Sequence, residues 1–261
     1  MKYFLDGFME KSVIIIGLGE LGGVFARGFL RKGIAVYPVT RGMDFSEAAT
    51  AYPDPALVLL AVAEKDFVSS LEQMPPAWKQ KLVLLQNELL PSSWEAHGIS
   101  SPTVISVWFE KKKGTDVTIL LPSPVFGTQS EFIKKSLNSL DIPVDILGSQ
   151  EELVDALVLK NVFVYTINIA GLQVAGTTED LRYKNWSLAE LIFDEILLLQ
   201  EKLSMRQCNR EKLLENFRRA LMADPGHKCR GRSAANRLEN ALKQARELGV
   251  NVPVLSEIGA H

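Results

Sequence analysis

The sequence predicts a doubly wound, mostly parallel α/β sheet followed by an all-helical C-terminal domain. In the first half, short aliphatic runs alternate with helical patterns, and a glycine-rich turn follows the first run. Beyond Glu151 the chain shows long helical patterns and no convincing strand. Because strands that alternate with helices pair in parallel through right-handed crossovers, the first half predicts a parallel sheet. The change in pattern predicts two domains, residues 1–149 and 150–261.

The strands predicted in the first half are short apolar runs, of the kind that a parallel sheet buries on both faces. They are residues 12–16, 34–40, 56–62, 81–86, 103–108, 116–121 and 144–147. The helices predicted between them are residues 20–32, 45–51, 67–74 and 131–140. In the second half, apolar residues at helical spacing predict helices over residues 151–174, 187–203, 210–222 and 233–248.

Composition and charge exclude several classes of function. The 261 residues are 47% hydrophobic and 23% charged, which is typical of a globular protein with a sizeable core. The net charge of −2 creates no overall field that would attract nucleic acid or an acidic membrane. The two cysteines, Cys208 and Cys229, lack the spacing of a disulfide framework or a metal site. We therefore expect reduced thiols in a cytoplasmic protein without a bound metal.

Two apolar segments are not expected to enter a membrane. Residues 1–11 carry Asp6 and Glu10 within their apolar stretch, unlike a secretory signal. The most apolar later segment, residues 153–174, is interrupted by polar residues such as Asp155 and Lys160, which would be costly in lipid. We predict a buried helix there rather than a membrane span.

The turn after the first strand carries the pattern G-x-G-x-x-G, formed by Gly17, Leu18, Gly19, Glu20, Leu21 and Gly22. In this pattern the first glycine permits a tight turn, the second lets the backbone approach a pyrophosphate, and the third lets the helix pack closely on the strand. The helix N-terminus offers unpaired N–H groups and the positive end of the helix dipole. The pattern therefore predicts a Rossmann-type dinucleotide site. The alternative is that the glycines serve only the turn.

The end of the second strand distinguishes NAD from NADP. An acidic residue there would bind the ribose hydroxyls of NAD, whereas an arginine would receive the additional phosphate of NADP. The chain has Arg41 at this point and no acid before Asp44. Because the planar guanidinium can pair with a phosphate, we expect NADP(H) rather than NAD. The alternative is that Arg41 is a solvated turn residue.

At this point the chain resembles the ketopantoate reductase family, within the wider group of 6-phosphogluconate-dehydrogenase-like reductases. The glycine loop, Arg41, the run Leu59-Leu60-Ala61-Val62 and the turn Leu85-Gln86-Asn87 carry the resemblance. It covers most of the chain and is sharper in the first half. The resemblance implies that Ala61, Val62 and Asn87 contact the cofactor, with the Asn87 turn beside the nicotinamide.

The second half matches part of the family's catalytic pattern. The family has a lysine followed by asparagines four and eight residues later, and this chain has Lys160, Val164 and Asn168. The glycine that follows the asparagine of the family's turn is replaced by Glu88, and the glutamate that grips substrate is replaced by Ser233. The resemblance thus implies catalytic roles for Lys160 and Asn168, with two expected substrate contacts missing.

Lys160 and Asn168 suit the reduction of a ketone, in which a proton must reach the developing alkoxide while the nicotinamide delivers hydride. Partial burial of Lys160 in an apolar helix would lower its pKa toward a value useful for a general acid. Asn168 lies about 80° further around the helix and could hold the substrate's oxygen or carboxylate. Two alternatives remain open: Lys160 could extend to water, and Asn161, Tyr165 and Asn168 could form a polar seam between helices or subunits.

Two basic segments are weaker candidates. Residues 227–232 could receive an anionic substrate or a cofactor phosphate, or they could be a solvated loop. Residues 111–113, three consecutive lysines, are predicted to be a solvated turn between strands.

Together these patterns predict an NADP-dependent oxidoreductase that reduces a small 2-keto acid, so the expected partner is a small-molecule carboxylate. Val164 and Ser233 motivate a second interpretation, a regulatory protein that binds NADP without catalysis. A third is a related reductase with a different substrate, such as an imine. The apolar helices predicted over residues 151–174 and 187–203 could form the interface of a homodimer.

Overall fold

A seven-stranded sheet lies at the centre of the N-terminal half in the computed structural model, which describes residues 12–260. The strands of this half are β1 (Val13–Ile16), β2 (Val36–Val39), β3 (Leu57–Leu60), β4 (Leu82–Leu84), β5 (Thr103–Ile105), β6 (Phe109–Lys111), β7 (Val117–Ile119), β8 (Ser123–Phe126) and β9 (Val144–Ile146). The order in the sheet is β2-β1-β3-β4-β5-β8-β9. Every neighbouring pair is parallel except β5 with β8. The predicted doubly wound, mostly parallel sheet is confirmed.

Helices cover this sheet. They are α1 (Glu20–Arg31), α2 (Phe45–Ala51), α3 (Glu64–Glu72), α4 (Pro76–Lys79), α5 (Ser92–Glu95) and α6 (Ser130–Asn138). Phe25 and Phe29, four residues apart on α1, are fully buried and share a core cluster with Ile133 and Leu137 of α6. Burial of each such side chain stabilises the fold by roughly 1.5–3 kcal/mol. All four residues of β1 and of β3 are buried, which explains why both strands are unbroken apolar runs.

The region between β5 and β8 differs from the prediction. The segment 103–108, predicted as one strand, ends at Ile105, and the chain then leaves the main sheet. The segment 116–121 was predicted as a further strand; its strand, β7, pairs only with β6, in a separate antiparallel hairpin. β8 was not predicted, because its Pro124 has no N–H to donate and breaks the expected strand pattern. The Pro124 carbonyl instead accepts from Ser106 N at 2.9 Å.

The prediction of a solvated turn at residues 111–113 was wrong for Lys111. Lys111 is the last residue of β6, and its Nζ donates to the carbonyls of Lys112 and Thr115, which close the hairpin. Lys112 and Lys113 are exposed, as expected.

The second half is helical in the structure. Its helices are α7 (Gln150–Gln173), α8 (Thr178–Tyr183), α9 (Trp186–Ser204), α10 (Arg210–Ala223), α11 (Ala234–Leu248) and α12 (Pro253–Gly259). The four long helices are confirmed, whereas the shorter α8 and α12 were not predicted. Among the described residues α7 alone is long and apolar enough to cross a membrane, but 83% of its most apolar window is buried inside the protein. It has the burial of a core helix, as predicted.

Contacts group the described residues into two compact units. Residues 12–86 and Ser92–Leu153 form the first, and Asn87–Pro91 with residues 154–260 form the second. The predicted domains, residues 1–149 and 150–261, stay a prediction, and the assignment of Asn87–Pro91 to the second unit was not foreseen. Residues 1–11, predicted not to be a secretory signal, lie outside the described residues.

Both cysteines are free thiols in the second unit, and burial is the main reason that the pKa of each is raised to about 11. The carboxylates of Asp155 and Glu201 raise the pKa of Cys208 further.

A thiol at pKa 11 has about 100-fold less thiolate at neutral pH than one at pKa 9, and the thiolate is the nucleophile. We expect alkylation of the native protein at pH 7.5 to be slow at both cysteines and to accelerate as the pH approaches 11. Mass spectrometry with iodoacetamide measures this, with urea-unfolded protein as control. Equal rates in native and unfolded protein would contradict the prediction.

Candidate functional site

The glycine loop holds its shape through backbone approaches that leave no room for a side chain. Gly17 has φ +89°, in the left-handed region, and a Cβ there would lie 2.7 Å from the Ala61 carbonyl oxygen. A Cβ at Gly22 would lie 2.2 Å from the Gly17 carbonyl oxygen. The first and third glycines therefore do what the pattern predicts, which is to permit the turn and the close packing of α1 on β1.

Gly19, the second glycine, has different surroundings. It is the N-cap residue of α1, and no atom lies within 4 Å of where its Cβ would be. The packing of the protein itself therefore does not require a glycine at position 19, whereas it does require one at positions 17 and 22. An open approach to the first N–H groups of a twelve-residue helix is the arrangement that receives a pyrophosphate. The loop fits a dinucleotide.

A cavity of 290 Å³ opens beside this helix start and adds residues that the sequence analysis missed. Leu18, Gly19 and Glu20 line it together with the cations Arg27 and Lys111. Lys111 Nζ lies 3.6 Å from Glu20 Oε2, so it offsets the negative charge that Glu20 places where a phosphate would bind. No sequence signal connects Lys111 to the glycine loop, because the two are brought together by the β6–β7 hairpin.

Ala61 and Val62 directly follow β3, the neighbour of β1 in the sheet. Ala61 N donates to the Ile16 carbonyl at 2.7 Å, which ties the carboxyl ends of the two strands together. Buried Gln86 donates from Nε2 to the Leu60 carbonyl at 2.6 Å and so secures the end of β3 from the β4 side. Strand order reverses between β1 and β3, and ligands of such sheets bind at that point. The predicted cofactor contacts at Ala61 and Val62 have the expected location and stay predictions.

Arg41 follows β2 and is exposed. The nearest acid, Asp44, is the N-cap of α2, and its Oδ1 accepts from Ser46 N at 2.8 Å and Glu47 N at 2.9 Å. Asp44 therefore serves as a helix cap, and the expected choice of NADP over NAD stays a prediction.

Lys160 lies in the middle of α7 and is half-buried. Its Nζ is 5.8 Å from the centroid of the Phe163 ring, close enough for a cation–π contact. The expectation of partial burial in an apolar helix is met, while the predicted catalytic role is not tested by this geometry.

Asn168, the second predicted catalytic residue, is 6% exposed. Its Nδ2 donates to the Val164 carbonyl at 2.9 Å, and its Oδ1 has no hydrogen-bond partner among the described residues. Gly231 lies against that oxygen, since a Cβ at Gly231 would be 2.6 Å from it. The segment that includes Gly231 thus covers Asn168, which the sequence did not predict.

A polar network joins the segment Asn87–Pro91 to two helices of the second unit. Tyr165 Oη donates to Glu88 Oε2 at 2.8 Å, and Arg237 Nε donates to Glu88 Oε1 at 2.9 Å. One turn before Tyr165 on α7, Asn161 Nδ2 donates to the Leu89 carbonyl at 3.1 Å and to Gln200 Oε1 at 2.8 Å. Asn161 and Tyr165 thus form part of the polar seam that was one of the open alternatives, whereas Asn168 bonds within its own helix. The sequence analysis missed Arg237.

Glu88 has φ +65°, a conformation that costs a non-glycine residue on the order of 1 kcal/mol. The replacement of the family's glycine by Glu88 was visible in the sequence, but its partners were not. Asn87, the predicted cofactor contact, immediately precedes this residue.

The sheet is doubly wound, its glycine loop lies where the strand order reverses, and a helical half follows in the chain. These features define a Rossmann-type protein with a helical C-terminal part. No known family profile and no curated protein sequence matches the chain.

Solved structures, in contrast, match nearly the whole chain. A PanE/ApbA family ketopantoate reductase from Ralstonia eutropha JMP134 has a TM-score of 0.67 at 16% identity, over 95% of this chain and 96% of its own. A dimeric ketopantoate reductase from Staphylococcus aureus has a TM-score of 0.62 at 14% identity, over 95% and 96%. D-mandelate dehydrogenase, solved with NADH, has a TM-score of 0.63 at 10% identity, over 95% and 96%. The chain has the fold of the ketopantoate reductases, which confirms the resemblance seen in the sequence.

Proposed function

We propose that the chain is an NADP-dependent oxidoreductase that reduces a small 2-keto acid. The observation that carries the proposal is the glycine loop, in which Gly17 and Gly22 are locked by backbone approach while Gly19 leaves the start of α1 open. Structural neighbours that are ketopantoate reductases, and one crystallised with NADH, support a nicotinamide cofactor. When bound, that cofactor supplies the hydride.

The proposed cofactor contacts of the first unit lie in the glycine loop and at the end of β3. The N–H groups at Leu18, Gly19, Glu20, Leu21 and Gly22 would receive the pyrophosphate, with Lys111 and Arg27 adding positive charge nearby. Ala61 and Val62 would border the cofactor at the end of β3, and Asn87 would hold its nicotinamide portion.

Two residues of α7 carry the proposed chemistry. Lys160 would hold a proton at Nζ and give it to the oxygen of the ketone, where negative charge develops as the carbon is reduced. Asn168 would donate the second hydrogen of Nδ2 to the substrate's carboxylate, since the first is donated to the Val164 carbonyl. Access to this amide requires the backbone at Gly231 to move, because it lies against Oδ1.

Arg41 tests the preference for NADP. We expect Arg41→Ala to raise the dissociation constant for NADPH by about 10- to 100-fold, the loss of one or two charge-assisted hydrogen bonds, and to leave that for NADH nearly unchanged. The reason is that Arg41 is exposed after β2 while Asp44 is held as a helix cap. Isothermal titration with both coenzymes measures the two constants.

Arg31→Ala, at the exposed end of α1, is the control for loss of a surface arginine. Equal weakening of NADPH and NADH by Arg41→Ala would show that Arg41 does not read the additional phosphate.

A second candidate function is an NADP-binding regulatory protein without turnover. One observation favours it, the cover that Gly231 places over Asn168. Coenzyme binding by the wild-type protein without consumption of NADPH across panels of both 2-keto acids and imines would select this candidate.

We further propose that the protein is cytoplasmic and forms a homodimer. The S. aureus neighbour is described as dimeric. Leu191 and Leu198 of α9 are 52% and 40% exposed, and a second copy could cover these two apolar side chains.

A further inference from the structure

We infer that Glu88, Tyr165 and Arg237 form a positioning network that fixes the backbone of residues 87–89 and, through it, the side chain of Asn87. The inference rests on the proposed function, because Asn87 is the proposed contact to the nicotinamide portion of the cofactor.

The backbone of Glu88 indicates that this turn is held against its own preference. Among the described residues, three that are not glycine have positive φ: Glu88, Asp141 and Met205. Met205 is the C-cap of α9, and Asp141 follows α6 by three residues, so both lie where chains commonly turn out of a helix. Glu88 follows a strand, and no helix end explains its conformation. Such strain persists only where the surroundings enforce it.

The carboxylate of Glu88 supplies that enforcement, since each of its oxygens is held by a different helix. Tyr165 of α7 donates to Oε2 at 2.8 Å, and Arg237 of α11 donates to Oε1 at 2.9 Å. The Arg237 side chain is 9% exposed and that of Glu88 is 23% exposed. A buried guanidinium needs a carboxylate partner, so the pair resists rearrangement more strongly than a surface ion pair would.

The next residue along the chain is held as well. Asn161, one helical turn before Tyr165, donates to the Leu89 carbonyl at 3.1 Å, and Gln200 of α9 accepts from the same amide. Leu89 is itself 2% exposed. Two successive residues are therefore fixed immediately after Asn87, which leaves the Asn87 peptide little freedom. Glu88 is a positioning residue in this scheme, because it acts through Asn87 and not on the reacting atoms.

Glu88→Gly separates this role from backbone strain. Glycine accepts the positive φ without penalty, so the variant removes the network while it relieves the strain. We expect it to raise the dissociation constant for NADPH by about tenfold, since loss of positioning weakens contacts that are otherwise intact. Hydrogen exchange at the amides of residues 87–90 should accelerate in the same variant.

Asp141→Gly is the matched control, because it also replaces an acidic residue of positive φ with glycine, on a turn of the first unit. It should leave NADPH binding and hydrogen exchange at residues 87–90 as in the wild-type protein. Arg237→Met should raise the dissociation constant for NADPH as Glu88→Gly does. The double variant should have a dissociation constant no higher than the higher of the two single variants, because both changes break the same network. Tyr165→Phe removes one hydrogen bond and keeps the ring, so it tests the network even where Arg237→Met does not fold.

The results separate the inference from the function on which it rests. If the variants lose thermal stability but bind NADPH as the wild-type protein does, the network is only structural and the inference is wrong. Wild-type protein that binds neither NADPH nor NADH would overturn the proposed function, and the inference with it.

Discussion

Gly19→Ala is expected to abolish strong coenzyme binding while leaving the fold intact, and Gly22→Ala is expected to damage the fold itself. At Gly19 a methyl group meets no protein atom within 4 Å, so it would project into the space needed by a pyrophosphate. We expect the dissociation constant for NADPH to rise on the order of 100-fold, as for loss of charge-assisted hydrogen bonds to the phosphates. At Gly22 the methyl group would meet the Gly17 carbonyl oxygen at 2.2 Å, which should destabilise the protein by about 3 kcal/mol.

Thermal unfolding and isothermal titration together distinguish the two effects. Gly226→Ala is the control, since a Cβ there also meets nothing within 4 Å and its loop is outside the proposed cofactor contacts. It should change neither stability nor binding. Unaltered NADPH affinity in a well-folded Gly19→Ala protein would remove the main support for a dinucleotide at this loop.

Lys160→Ala should lower turnover of a working 2-keto acid by about 1,000-fold, the usual contribution of a positioned general acid. The substitution should leave coenzyme affinity unchanged, because Lys160 is proposed to serve the substrate oxygen and not the cofactor. Consumption of NADPH, followed by its absorbance under saturating keto acid, measures the effect. Lys243→Ala is the matched control, as the side chain of Lys243 on α11 is 67% exposed.

Asn168→Ala decides between two roles for the second residue. A substrate contact would show as a KM raised by about tenfold with little change in melting temperature, as expected for one lost hydrogen bond. A purely structural role under Gly231 would show as lower stability with an unchanged KM. Turnover by Lys160→Ala at the wild-type rate would refute the catalytic assignment of Lys160.

Elements whose residues all share one environment were predictable from the sequence. β1 and β3 are buried on both faces, so their aliphatic runs are unbroken, and the glycines between β1 and α1 mark a turn that tolerates no side chain. The long helices α9, α10 and α11 begin and end within one residue of their predicted bounds, because each keeps apolar residues at helical spacing. The departure of the chain from the main sheet after Ile105 could not be predicted, because the apolar run continues beyond this residue.

The candidate site was predictable only where it depends on local sequence. The glycine loop lies within six consecutive residues, and its geometry follows from the strand before it and the helix after it. The Glu88 network joins residues 77 and 149 positions apart, and no short-range pattern encodes such pairs. Arg237 lies on α11 among other charged and polar residues, so nothing in its sequence surroundings distinguishes it as buried.

The short excursion of residues 87–91 has a consequence for dissecting the protein. The helical half is not a contiguous stretch of chain, because Leu89 and Leu90 are buried in the unit to which residues 154–260 belong. A recombinant fragment that starts at residue 150 would lack these two leucines, and it would also lack the Glu88 carboxylate that pairs with Arg237. Limited proteolysis or truncation should therefore not release an intact helical half, and supplying residues 87–91 as a tethered peptide is the rational way to restore one.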